Sequence, residues 1–320
     1  MLVDLTETYG VGSEPTKEWC DTNITFTTET EALSGVARKG KKIYIGVNNI
    51  ARKVKRGYVG VAGVARPFWT GGEPVYWGRA TDLSFSSTCT VAMVGEYGLF
   101  APYDYDTSYN INAYNSSLVR TLATPLTYAK AYYAGASTGN YALFAGGVVE
   151  ISQERATVEA YDTSLTRSDA PELNYSATRL AGANNSNYAF FAGGSEGSDS
   201  DTDRRKYVYA YDNLLTKTRC TDLTTAVSES SAGSVGDYVL FAGGRTGPTS
   251  SLYYKDIVYA YDNSLTQTRP TVLSQKKVRA VAVNAGTNKE YLIFAGGTES
   301  PTISNAYDQS LTRIILPDLS

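Results

Sequence analysis

Apolar and polar residues alternate along most of this chain in short runs, the period of a strand with one buried face. The stretch from Val278 to Ser320 shows the unit most clearly. Val278 to Val283 alternates and is β-branched. Tyr291 to Ala295 is a continuous apolar run stopped by Gly296-Gly297. Ile303 to Asp308 and Leu311 to Leu316 are two further runs, and Pro317-Asp318 ends the last. Turn-rich segments separate all four. Four short strands in a meander make one blade of a β-propeller. The same parse fits about 88–124, 128–172, 176–222 and 225–272, which gives five blades.

Two phrases recur in these units. The first ends the second strand: YGLFAPY from Tyr97, YALFAGG from Tyr141, YAFFAGG from Tyr188, YVLFAGG from Tyr238 and YLIFAGG from Tyr291. The second is AYNSSLV from Ala113, then AYDTSLT, AYDNLLT, AYDNSLT and AYDQSLT from Ala160, Ala210, Ala260 and Ala306. Its Tyr falls at 114, 161, 211, 261 and 307, in steps of 47, 50, 50 and 46. A period near 50 suits a propeller. A Gly-Gly pair after a buried strand permits positive φ or close passage of a neighbouring blade. The Tyr suits burial between blades with its hydroxyl hydrogen-bonded. The Asp, with Ser two residues on, satisfies backbone donors in a tight turn, and Leu then returns to the core. Most tyrosines, glycines and recurrent aspartates are thereby scaffold.

The pattern resembles the kelch repeat over roughly 84–320. It departs in two places: no Trp stands on the fourth strand, and Ala101-Pro102 occupies the first Gly-Gly slot. Kelch proteins commonly have six or seven blades, against five here. LPDLS at 316–320 matches ATDLS at 80–84, so each blade would be continuous in sequence.

A second, shorter repeat precedes the propeller. IYIGVNNIARKV (43–54) aligns with GYVGVAGVARPF (57–68), and each copy reads as a β-hairpin. A lone hairpin is marginal in water. The tandem must therefore pack on the propeller, form an irregular sixth blade or associate with its own copies. The expected organisation is an acidic segment at 1–34, the hairpin tandem at 35–78 and an all-β, kelch-like propeller at 79–320. The run GVARKVKRGYVGVAGVARPFW followed by AYDNSLT phrases resembles minor structural and tail proteins of phages and prophages of Firmicutes. That resemblance implies a virion or phage-tail component made in the bacterial cytoplasm, with homo-oligomers such as trimers and other tail proteins as partners. It brings no catalytic residues.

Composition narrows the rest. The chain has 320 residues, 42% hydrophobic and 19% charged, enough for a sizeable core. The net charge of −3 argues against a nucleic-acid binder. Charge is uneven: 1–34 is acidic, and 38–56 carries eight basic residues and no acid. That run reads as a solvated ribbon face, a dock for the acidic segment, or a polyanion contact. No basic, apolar leader opens the sequence, so a signal peptide is not expected. No apolar run reaches membrane-spanning length, so no membrane insertion is expected. The three cysteines suit buried packing better than a disulfide or zinc set. The absence of His removes the commonest base and metal ligand. No cofactor is implied.

Functional variation falls in the loop after each second strand. From the second Gly-Gly position to the Ala of AYD the steps are 10, 13, 16, 16 and 9. These loops offer Tyr103, Asp104, Tyr105, Asp106 and Tyr109 in the first unit, Glu150, Glu154 and Arg155 in the second, and Arg245, Tyr253 and Tyr254 in the fourth. Tyr rings stack on sugar faces and carboxylates accept hydroxyl bonds, so the loop face is expected to bind a host-surface glycan. A protein partner and a polysaccharide depolymerase are the alternatives. Asp199, Asp201 and Asp203 alternate in a way that suits Ca²⁺, though without the rest of an EF-hand loop. No catalytic residue is assigned. The recurrent aspartates occupy one equivalent turn and cannot converge, and no Walker or nucleophile-elbow motif stands in context.

Overall fold

A computed structural model describes residues 80–317, apart from 86–87, 104–108, 150–152, 197–202, 249, 287–288 and 299–301, together with the backbone of five strands nearer the N-terminus. The chain divides into two compact units, Met1–Arg79 and Ala80–Ser320.

The first unit contains both hairpins. Ile43–Val47 pairs antiparallel with Ile50–Val54, and Arg56–Val61 with Val64–Trp69. Leu2–Asp4 adds a third strand beside Arg56–Val61.

Among the described residues, the second unit contains five four-stranded antiparallel sheets, each with its strands in chain order. Their first and last strands are Cys89–Val94 and Arg120–Leu122, Ala134–Ser137 and Arg167–Ala170, Ala181–Asn184 and Lys217–Arg219, Ser231–Val235 and Gln267–Thr268, and Val281–Ala285 and Arg313–Leu316. In the second, third and fourth sheets the second strand is apolar because both of its faces are covered. In Ala142–Ala145, Leu143 and Ala145 pack toward Phe191 and Tyr211 of the third sheet. Ala142 and Phe144 pack toward Leu99 and Ala113 of the first. Burying a side chain such as Phe144 is worth about 2–3 kcal/mol. First strands stand backbone to backbone, and a methyl group on Gly135 would lie 2.2 Å from the Val91 carbonyl oxygen.

The repeated residues act as joints. The Tyr211, Tyr261 and Tyr307 hydroxyls donate to the carbonyls of Pro171, Thr221 and Thr271 at 2.7, 2.8 and 2.7 Å, and Tyr114 donates to Thr81. Each bond anchors the segment that leads into its own sheet. Ser84 N–H donates to Asn112 Oδ1 at 3.0 Å, as Ser274 N–H does to Asn305 Oδ1 at 2.7 Å. ATDLS thus serves the first sheet as PTVLS, at 270–274, serves the fifth.

In the AYD turn, Asp162 Oδ1 accepts from the N–H groups of Ser164 and Thr166 at 2.9 and 3.0 Å, and Asp212, Asp262 and Asp308 repeat the pattern. The following Leu does not simply return to the core. Leu118, Leu165, Leu215, Leu265 and Leu311 all have φ between 60° and 63°. Leu165 is buried while Leu118 is exposed. The Asp side chain, or that of Asn115 in the first sheet, holds the turn closed with the Leu in the left-handed region.

Candidate functional site

One backbone position recurs two residues before a first strand. It is occupied by Tyr132, Arg179, Glu229 and Arg279, with φ of 59°, 55°, 59° and 57°. The equivalent residue of the first sheet lies outside the described residues. These four are linked in series: Arg179 N–H donates to the Tyr132 carbonyl at 2.8 Å, Glu229 to Arg179 at 2.9 Å and Arg279 to Glu229 at 3.2 Å. A bulky residue in this conformation costs on the order of 1 kcal/mol, and such strain concentrates at functional sites. The four side chains differ in chemistry: one ring, one carboxylate and two guanidinium groups.

Their side chains line a pocket of about 370 Å³, with Tyr103 and Ser230. By strand register Pro102-Tyr103, and not Ala101-Pro102, fill the first Gly-Gly slot, because Leu99 pairs with Ala113 as Leu143 does with Ala160, so Tyr103 takes its second position. Where the other units have no side chain, the first places a ring 5.3 Å from Tyr132, edge to face, and 5.9 Å from Tyr133, stacked. The Arg179 guanidinium lies over the Tyr132 ring at 4.6 Å.

Glu229 is the electrostatic centre. Its carboxylate accepts from Arg245 Nε and Nη2 at 2.9 and 3.1 Å and from Arg279 Nη2 at 2.6 Å, with Arg179 Nε at 3.4 Å. Arg245 is fully buried behind it, in a two-pronged geometry suited to a carboxylate. Arg204 is buried in the next layer, with Nε 3.2 Å from Ser228 Oγ. Burial acts to raise the Glu229 pKa, but the bonds from Arg279 and Arg245 outweigh it and hold the carboxyl below the ordinary glutamate range. Glu229 is therefore ionised at neutral pH and is no proton donor. Among the described lining residues it is the single carboxylate, so the pocket presents aromatic faces and cationic donors without an acid–base pair.

A second buried charge cluster has a structural explanation. Glu159 binds Lys130 at 2.7 Å and Arg167 at 2.9 Å, and accepts Thr127 N–H at 2.7 Å. It holds the incoming segment as Asn112 and Asn305 do in their sheets.

The residues expected from the loops separate into groups. Tyr103 reaches the pocket. Asp104, Tyr105, Asp106 and Glu150 lie outside the described residues, as do Asp199 and Asp201. Asp203 is half-buried, and no group of metal-ligating side chains occurs among the described residues. Tyr109 is exposed and Glu154 half-buried, away from the pocket lining. Arg155 lies over Tyr128 at 5.4 Å and bonds Gln153 at 2.8 Å. Two expectations are corrected. Arg245 is no loop-surface ligand, because Glu229 draws it inside. Tyr254 is buried, its backbone bridged to Arg245, while Tyr253 is half-buried. Among the cysteines, Cys220 is buried but Cys89 is exposed. Tyr132, Arg179, Glu229 and Arg279 escaped the sequence reading. In KAYYAGA, ATRLAGA, VSESSAG and KVRAVAV the neighbouring positions vary as freely, so these four carry no signal of their own in the sequence.

No family model matches the chain, and no curated protein matches it. Among solved structures, one titled "Structure of YjhT" is similar with a TM-score of 0.60 at 15% identity, over 88% of this chain and 95% of that one. At that identity the likeness concerns the fold alone, and propeller-like folds carry enzymes and binding modules alike. With the sheets described above, it makes this an all-β protein of β-propeller-like fold.

Proposed function

We propose that the second unit is a kelch-type propeller of five blades, with room for a sixth between the first and the fifth, acting as the receptor-binding part of a phage tail protein. Its pocket takes a glycan of the host surface. The observation that carries this reading is the convergence of Tyr132, Arg179, Glu229 and Arg279, on one strained and otherwise equivalent backbone position, upon a single pocket. Each of four units brings its own side chain there, which together give the pocket a ring, a carboxylate and two guanidinium groups. Tyr103 and Tyr132 offer ring faces for a sugar, and the surrounding charged groups can meet its hydroxyls. The tail assignment is supported by the tandem hairpins followed by AYDNSLT phrases, and the first unit would attach the chain to the particle or to its own copies.

The full chain should bind cells or purified envelope polysaccharide of its host, and Tyr132→Ala should weaken that binding about 10-fold or more. A well-folded chain that binds neither, or binding indifferent to Tyr132→Ala, rejects the reading. Stoichiometric co-purification of a protein in place of a glycan would favour an interaction module. Release of soluble sugar that disappears in Glu229→Gln would favour a depolymerase.

A further inference from the structure

Each of the five sheets supplies a side chain to the pocket wall: Tyr103 from the first, Tyr132 from the second, Arg179 from the third, Glu229 from the fourth and Arg279 from the fifth. They meet in that order. The Tyr103 and Tyr132 rings lie 5.3 Å apart, and the Arg179 guanidinium is 4.6 Å from the Tyr132 ring. Arg179 Nε and Arg279 Nη2 stand 3.4 and 2.6 Å from the same oxygen of Glu229. Arg279 in turn lies within electrostatic reach of Tyr103, which returns the circuit to the first sheet. The first sheet alone carries a side chain at the second position of the slot, where the others have Gly147, Gly194, Gly244 and Gly297. Without Tyr103 the circuit would be open on that side.

We infer that the pocket takes the terminal sugar of a glycan, at a chain end or as a one-sugar branch, and not an internal stretch of the chain. A groove is open at two ends and lets a polymer run through it, whereas this wall is supplied from five sheets in turn. An internal sugar has a neighbour on either side, so two linkages must leave the site. To pass a second linkage, the wall would have to part Arg279 from Glu229 or Tyr103 from Tyr132. The first contact is held from behind, because Arg245 fixes the buried Glu229 carboxylate through two nitrogens at 2.9 and 3.1 Å. Withdrawing a partner from a buried carboxylate is unfavourable. The second is held because Tyr103 also stacks on Tyr133 at 5.9 Å, and the buried Tyr133 donates its hydroxyl to the Pro102 carbonyl. The cavity, about 370 Å³, is near the lower end of the ~300–1,000 Å³ usual for ligand pockets and suits about one or two sugar rings. A terminal sugar fits this enclosure with its single linkage directed out to solvent.

The inference rests on the glycan reading, and its test is separable from that reading. The full chain is mixed with envelope polysaccharide of its host, broken into fragments of graded length. Saturation-transfer NMR then maps which sugars touch the protein. The terminal sugar should receive at least about 5-fold more saturation than its internal neighbours, because a pocket covers most of the group it holds. Resonances of main-chain ends and of branch sugars differ, which separates those two sources. Affinity per fragment, measured by calorimetry, should rise less than about 10-fold from the disaccharide to the longest fragment, whereas a groove gains with each sugar it covers. The terminal saturation should fall in Tyr132→Ala together with polymer binding. Saturation spread evenly along the chain, or affinity that climbs with every added sugar, overturns the inference and leaves the propeller a glycan binder. Terminal saturation that is unchanged in Tyr132→Ala places the binding elsewhere and overturns it as well. No saturation of any sugar removes the wider reading and the inference with it.

Discussion

Tyr161 and Tyr307 hold the same place in two repeats, and both are fully buried. Their hydroxyls differ. That of Tyr307 donates to the Thr271 carbonyl at 2.7 Å, whereas that of Tyr161 meets no hydrogen-bond partner among the described residues. A buried polar atom without a partner loses its water for nothing, while a satisfied one contributes modestly. Tyr307→Phe should therefore cost about 1 kcal/mol, and Tyr161→Phe should be neutral or slightly stabilising. Urea midpoints of the two variants decide it, and equal losses would mean that Tyr161 has a partner in solution. The recurrent Tyr was legible in the sequence as an inter-blade residue because its spacing repeats. Which hydroxyl is satisfied was not, because the acceptor is a carbonyl 33 to 40 residues upstream in the satisfied cases. The site suffered from the same limit. Arg245 stood in a loop by sequence, yet a carboxylate 16 residues earlier holds it inside.

At the scale of elements, Gly-Gly is the joint that lets one sheet end against the next. Gly146 and Gly296 have similar dihedrals, with φ of 72° and 68°. A methyl group on Gly146 would lie 2.4 Å from the Ala177 carbonyl oxygen, whereas one on Gly296 would meet nothing within 4 Å. Both Ala variants carry the left-handed cost of about 1 kcal/mol. Gly146→Ala adds a backbone collision worth roughly 1–3 kcal/mol more. Gly146→Ala should thus melt well below Gly296→Ala, and equal melting temperatures would show that φ alone governs the motif. The sequence announced the second strands best, and Tyr291 to Ala295 is bounded in the structure as its apolar run predicts. First strands were blurred, with Val278 to Val283 expected and Val281–Ala285 found. The three residues before that strand include Arg279, bent away into the pocket. The left-handed Leu of each AYD turn was illegible for another reason. Leu is a poor residue for that conformation, and a side-chain oxygen three residues earlier, from Asp or from Asn115, closes the turn that places it there.

For the second unit as a whole, the cores lie between successive sheets and not at one centre. Separate clusters join the first sheet to the second, the second to the third, the third to the fourth and the fourth to the fifth. Repetition in sequence made the five units look equivalent, but their surroundings are not. Val91 and Met93 on the first sheet are 55% and 61% exposed, and Val281 and Val283 on the fifth are 67% and 53% exposed. In the third sheet, Ala189–Ala192 is buried at every position because it has a neighbour on either side. Where each unit is held only by its neighbours, stability approximates a sum over junctions, and a unit with one junction opens at lower cost. Amide hydrogen exchange should follow that order. The amides of Ala189–Ala192 should exchange slowest, and those of Val281–Ala285 and Arg313–Leu316 at least ~10-fold faster under native conditions. Protection in the first sheet should resemble that in the fifth. Equal protection in all five sheets would instead show that the unit opens as one cooperative body, with the two outer faces stabilised as firmly as the four internal junctions.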